Sequence, residues 1–113
     1  MSGKGYPKRG EIYWVDLDPA VGSETQKTRP GLIVSNNMGN EASSIVMIAP
    51  ITSKVKNVYP FEVKTTLEGK SVKIMLNQCK ALDKSRVRNK ISTIDANTMR
   101  EIEEAIRIVF GLM

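Results

Sequence analysis

The feature that most constrains this chain is a change of hydrophobic period near residue 95. Before it, apolar residues come in short runs: EIYWVDL (11–17), GLIVS (31–35), SIVMIA (44–49) and SVKIMLNQ (71–78). Runs of this length, alternating or apolar throughout and bounded by proline or glycine, read as strands. After it, DANTMREIEEAIRIVFGLM repeats every three to four residues and sets Met99, Ile102, Ala105, Ile106, Val109 and Phe110 on one stripe. Asp95 suits an N-cap, Glu103 and Arg107 stand at i,i+4 in the favourable order, and Gly111 can end the helix. The stripe reads as core packing rather than a binding element. Strands followed by one amphipathic helix predict a mainly β protein, a small antiparallel barrel with a C-terminal α-helix packed on it.

Within the strand region, EIYWVDL puts Ile12, Trp14 and Asp16 on one face and Tyr13, Val15 and Leu17 on the other. Asp18-Pro19 ends this strand, and residues 18–30 form a long loop of the kind that usually carries function. Gly31–Ser35 is the second strand, residues 36–43 a turn or short helical insert around Gly39, and Ser44–Ala49 a third strand stopping at Pro50. Residues 53–58 read as an exposed loop carrying Lys54 and Lys56. Pro60–Thr65 and Ser71–Gln78 frame a hairpin turn at 67–70, with Val72, Ile74 and Leu76 on one face. A bent strand at Cys79–Leu82, a charged turn at Lys84–Arg88 and a short strand at Lys90–Thr93 complete the pattern. Residues 1–9 read as a loose basic lead-in to a single domain that spans the chain.

Composition then removes whole classes of chemistry. The 113 residues suffice for one packed core. No apolar run approaches the ~20 residues that span a bilayer, and MSGKGYPKRG lacks the apolar centre of a signal peptide, so a cytoplasmic protein without membrane contact is expected. The one cysteine, Cys79, has no partner for an internal disulfide and reads as a buried thiol. There is no histidine. That excludes Ser-His and Cys-His nucleophile pairs, the common zinc sites, and nucleases in which two histidines pass protons. Any acid–base work falls to Glu, Asp, Lys, Arg or Tyr. A net charge of +5 and a pI near 9.5 favour a polyanionic partner. One Trp, three Tyr and two Phe are few for the stacking sheets of RNA-recognition domains.

Three polar residues stand at the ends of predicted core strands: Arg29 ahead of Pro30 and the second strand, Thr52 after Pro50-Ile51, and Gln78 at the end of SVKIMLNQ. Alone, Thr52 reads as a turn hydroxyl bonded to its own backbone and Gln78 as a solvated strand end. Together they suggest a phosphate site. A guanidinium offers a planar fork of donors that matches phosphate oxygens, and a hydroxyl offers one more. Glu24, in the same loop as Arg29, could accept a proton. With RNA as substrate the 2′-hydroxyl is the nucleophile, so neither metal nor cofactor is required. Asp16 and Asp18 could instead touch a magnesium ion, although turn and cap roles are commoner for aspartate.

Taken in order, RGEIYWVDLDPAVGSE, TRPGLIVSNN, APIT and LNQCKALDKSRVRNKI resemble the MazF/PemK/Kid toxins of bacterial toxin–antitoxin pairs, over nearly the whole chain. The resemblance implies the small SH3-like barrel shared with the CcdB gyrase poisons. It implies a homodimer that cleaves single-stranded RNA, mainly mRNA, at a specific sequence without a metal, leaving a 2′,3′-cyclic phosphate and a 5′-hydroxyl. It further implies a cognate antitoxin whose disordered acidic segment fills the RNA groove. By position, Arg29 and Thr52 fall on the family's catalytic pair and Glu24 on an acidic position of the GSE motif. Ser23, Asn36, Gln78 and Arg86 match polar positions near the RNA. Two other readings stay open at this stage: a gyrase-inhibitor-like toxin on the same fold, and a non-enzymatic RNA-binding module.

Overall fold

The computed structural model describes residues 5–17 and 28–112. Along the chain these form β1 (Glu11–Asp16), β2 (Thr28–Ile33), α1 (Asn37–Ala42), β3 (Ile45–Thr52), β4 (Glu62–Leu67), β5 (Lys70–Met75), β6 (Lys80–Asp83), β7 (Val87–Thr93) and α2 (Ala96–Phe110). Short 3₁₀ turns occupy Leu76–Gln78 and Lys84–Arg86. All strand pairs are antiparallel, in the order β4-β5-β3-β2-β1-β7, with β6 also on β3. The middle strand, β3, holds β2 along one edge. Along the other, Ile45–Ile48 pair with β6 and Ile51–Thr52 pair with β5. One strand serving two partners in succession curls the sheet into a half-barrel.

Both faces of this sheet are covered. The larger core lies against α2 and contains Ile12, Leu32, Ile74, Leu76, Ile102 and Ala105. A smaller one on the other side gathers Val15, Ile33, Val46, Ile48 and Leu82. Successive strand residues point to opposite faces, so Leu32 and Ile33 belong to different cores. Two-sided burial is why these strands read as unbroken apolar runs rather than as alternation.

The helix follows its sequence closely. The Asp95 carboxylate accepts from the Thr98 N–H at 3.0 Å, and Gly111 closes the C-terminus in the left-handed region at φ +66°. Two details differ from expectation. Phe110 is 58% exposed instead of joining the core stripe. Glu103 reaches across the fold to Arg9 at 3.1 Å, while Arg107 pairs with Glu104. The N-terminal segment is already tied down at Arg9, whose N–H donates to Asn37 Oδ1 and whose Nε–H donates to the Val34 carbonyl.

The strand boundaries differ more, and the differences bear on function. β2 starts at Thr28, so Arg29 lies inside a strand, not ahead of one. Pro30 is tolerated there because the ladder with β3 begins only at Gly31, one residue later. Gly31 is required by packing. A Cβ at that position would sit 3.0 Å from Val15 Cγ2 and 3.6 Å from Ile48 Cδ1, so the glycine makes room for the smaller core. β3 passes straight through Pro50 to Thr52. β5 stops early, at Met75, and Gln78 ends a 3₁₀ turn rather than a strand. The expected hairpin turn is a tight one at Glu68-Gly69, both with positive φ (50° and 80°), as a two-residue type I′ turn requires.

Candidate functional site

The ends of β2 and β3, the β4–β5 hairpin tip and the turn after β5 meet around an open groove of about 730 Å³. Strand register brings the key residues there. β2 and β3 pair as Gly31–Pro50, Leu32–Ala49 and Ile33–Ile48. Continuing that register by two residues sets Arg29 opposite Thr52, and both line the groove. Gln78 lines it as well. Three positions separated by up to 49 residues in sequence thus share one cavity, as the sequence reading required.

What each side chain is doing separates them. Arg29 is exposed and makes no hydrogen bond or ion pair with the described residues. Thr52 Oγ1 accepts from the Lys54 N–H at 3.2 Å. The expected turn bond therefore exists, yet it uses the oxygen and leaves the hydroxyl proton free to donate. Gln78 is exposed and, among the described residues, its side chain reaches only Met75 Sδ, at 3.5 Å. Around them the charge is lopsided. Among the described lining residues Arg29, Lys54, Lys70 and Lys80 face a single carboxylate, Glu68. Such a charge balance favours a polyanion, and the Arg29 guanidinium and the Thr52 hydroxyl proton are donors that no described residue uses.

The other arginines of this region are occupied. Arg86 donates to the carbonyls of Asp16 and Leu17 at 3.2 and 3.3 Å, and Lys80 Nζ also donates to the Leu17 carbonyl. Arg88 grips the buried Asp16 carboxylate through Nε, at 2.7 Å, and Nη2. Together they fasten the end of β1, whose last residue, Asp16, is paired with Thr28, the residue before Arg29. The Asp16 carboxylate thus serves Arg88, which takes it from the magnesium reading; Asp18 lies outside the described residues.

The family described as PemK-like, MazF-like toxin of type II toxin–antitoxin system matches residues 8–110. The chain belongs to this PemK/MazF toxin family.

Among its relatives, the endoribonuclease EndoA of Bacillus subtilis (strain 168) is 36% identical over 112 residues, covering 94% of this chain and 96% of the relative. A MazE–MazF structure from Deinococcus radiodurans is 26% identical with a TM-score of 0.83, covering 97% of this chain and 100% of that one. A mycobacterial endoribonuclease solved in complex with its cognate antitoxin is 25% identical with a TM-score of 0.80, covering 95% and 97%.

The remaining positions expected from the PemK/MazF resemblance fall in three places. Ser23 and Glu24 lie outside the described residues. Asn36 is the N-cap of α1, its Oδ1 accepting from the Gly39 N–H at 2.8 Å, and it is not among the residues lining the groove. Arg86 holds the end of β1, as above, and does not line the groove either. Conversely, the sequence reading missed Trp14, Lys70 and Lys80, which do. Lys70 is the last residue of the predicted hairpin turn, so a turn folded back onto the third strand was the available signal; nothing local marks Lys80 or Trp14. Cys79 is half-buried against the larger core, and burial pushes its thiol up, away from the reactive thiolate.

Proposed function

We propose that this chain is the endoribonuclease toxin of a type II toxin–antitoxin pair and cuts single-stranded RNA, mRNA above all, at a specific sequence without a metal. The observation that carries this is an arginine whose side chain bonds to none of the described residues, lining one cation-rich groove with a hydroxyl whose proton no described residue accepts. In the reaction the substrate's 2′-oxygen forms a bond to the adjacent phosphorus and the 5′-oxygen leaves. The 2′-hydroxyl gives up its proton, the leaving oxygen gains one, and a 2′,3′-cyclic phosphate and a 5′-hydroxyl result. Arg29 and Thr52 donate to the phosphoryl oxygens, whose charge grows in the transition state. Glu24 is the candidate base from its place in the GSE motif, and Gln78 a polar contact to the RNA.

The likeness to EndoA and to an endoribonuclease solved with its antitoxin supports the same reading. So does the groove, whose excess of cations suits both RNA and an acidic antitoxin segment that would compete for it. A homodimer acting in the cytoplasm completes the proposal; no described helix is long and apolar enough to cross a membrane. A gyrase poison on this fold has no use for an idle arginine beside a hydroxyl. Expression that stops translation supports the ribonuclease; expression that breaks DNA supports the poison. The direct test is incubation with mixed single-stranded RNA in excess EDTA, followed by end-sequencing that captures cyclic phosphates. Cuts at one sequence motif with cyclic ends are expected. Intact RNA, or cutting that needs a metal, would overturn the proposal.

A further inference from the structure

We infer that Trp14 is a stacking platform for a nucleobase next to the scissile phosphate, which makes the groove a two-walled RNA site. This rests on the endoribonuclease reading above. The composition argued against a stacking sheet, yet the only tryptophan of the chain lines the groove that holds Arg29 and Thr52. It is 39% exposed on β1, a strand whose neighbours Ile12 and Val15 are fully buried. An indole left out of both cores on such a strand forgoes a large apolar burial, and no packing need explains it. Its ring makes no aromatic or cation–π contact, and its N–H no hydrogen bond, with the described residues.

The groove lining puts it in place. β1 pairs with β2 as Trp14–Pro30 and Val15–Arg29, so the pleat sends indole and guanidinium to opposite faces of the sheet, and the groove at the strand ends takes in both. Pro30 beside it is stiff, and Pro50 and Ile51 continue an apolar stretch of the groove lining, distinct from the cations Arg29, Lys54, Lys70 and Lys80. Single-stranded RNA presents the matching halves: phosphates for the cations, and a flat base for the aromatic ring. Every base has a π face, so Trp14 contributes position and affinity more than sequence choice.

Trp14 is the sole fluorophore of its kind, so its emission reports on this site alone. The probe is a short RNA of the cleavage sequence found by end-sequencing, with a 2′-deoxy sugar at the cut so that it binds without reacting. Saturation is expected to quench Trp14 emission with the same Kd as anisotropy gives. An abasic nucleotide on one side of the cut should abolish the quench. Trp14→Ala should weaken binding roughly 5- to 150-fold, the range for losing one stacked base. It should raise KM far more than it lowers kcat, while Trp14→Phe stays close to the parent. An unquenched indole alongside clear anisotropic binding would overturn the inference and leave the nuclease intact. So would Trp14→Ala with unchanged KM, or emission that shifts with protein concentration in the absence of RNA, which would place the indole against a second copy. A protein that neither binds nor cuts any RNA would remove the nuclease reading first and this inference with it.

Discussion

Two ends of the molecule use the same residue types in opposite ways. At the end where Arg9 bridges Asn37 and α2, the side chains of Arg9, Asn37 and Asn40 all have structural partners. Arg9 joins Asn37, Val34 and Glu103. Asn40, fully buried, is bonded to the Ser35 carbonyl at 2.9 Å and accepts from the Ser35 hydroxyl. At the groove, Arg29, Gln78 and the proton of Thr52 find almost nothing in the described protein to bond. Folding normally employs a guanidinium wherever an acceptor is in reach. The contrast between an employed arginine and one with no partner among the described residues therefore marks candidates for scaffold and for chemistry where residue type and exposure do not. Arg88 and Arg86, within the same region, belong to the scaffold by this measure.

That contrast can be broken by mutation, and the largest effect comes first. Arg29→Ala should lower kcat by about 10²–10³, as removing one oxyanion donor does, with an unchanged melting temperature. A matching fall in stability would show that Arg29 has a structural partner after all. Thr52→Ala should also slow cleavage by about 10²-fold, while the loss of one exposed turn bond costs under about 1 kcal/mol by urea melts. Thr52→Ser, which keeps the hydroxyl, should retain most of the rate. Arg88→Ala should do the reverse. It strips the buried Asp16 carboxylate of both the bonds it makes with described residues and should cost about 1–3 kcal/mol of stability. Arg88→Ala that melts like the parent would undo its assignment to the scaffold. Gly31→Ala should cost about 1–2 kcal/mol, because its new methyl group meets Val15 in a filled core; pairing it with Val15→Ala should recover part of that loss.

The smallest effect is one of pH. Burial raises the Glu11 carboxyl, but bonds from the Tyr13 hydroxyl and the Lys8 N–H and the nearby Lys90 ammonium outweigh it, and the net shift is downward. A carboxylate held below its unfolded value of about 4.3 adds stability that is complete above that value. The contribution fades as pH falls through the folded value. Urea melts at pH 7, 4.5 and 3.5 should show stability declining below about 4.5, and Glu11→Gln should flatten the slope. A parent and variant that decline in parallel would remove Glu11 from the account. The same hydrogen bond, with burial the larger cause, raises the Tyr13 hydroxyl, so that side chain stays neutral across this range.

Much of this was legible in the sequence wherever the deciding forces are local. The helix from Asp95 to Gly111 is such a case, because a cap carboxylate, a 3.6-residue stripe and a glycine that accepts positive φ act within one or two turns. The hairpin around Glu68-Gly69 is another. Errors came where a distant neighbour decides. Pro30 and Pro50 looked like strand stops, yet each sits within a ladder whose partner begins or ends beside it. Gly31 looked like the plain start of a strand, yet it answers to Val15, sixteen residues away. Glu103 looked like half of a helical pair, yet Arg9 claims it.

By itself, then, the sequence determined the β-then-helix order, the two-sided burial of the central strands, the exclusion of histidine chemistry and the identity of Arg29 and Thr52 as candidates. Those follow from periodicity and from which functional groups exist at all. Only the tertiary structure decided that β2 and β3 run past their prolines and bring the two into one groove. It also decided which arginines are spoken for and that Trp14 lines the same groove. The physical reason is that bond satisfaction and cross-strand register are properties of pairs, and the partner of each residue is named by the fold, not by its neighbours in the chain.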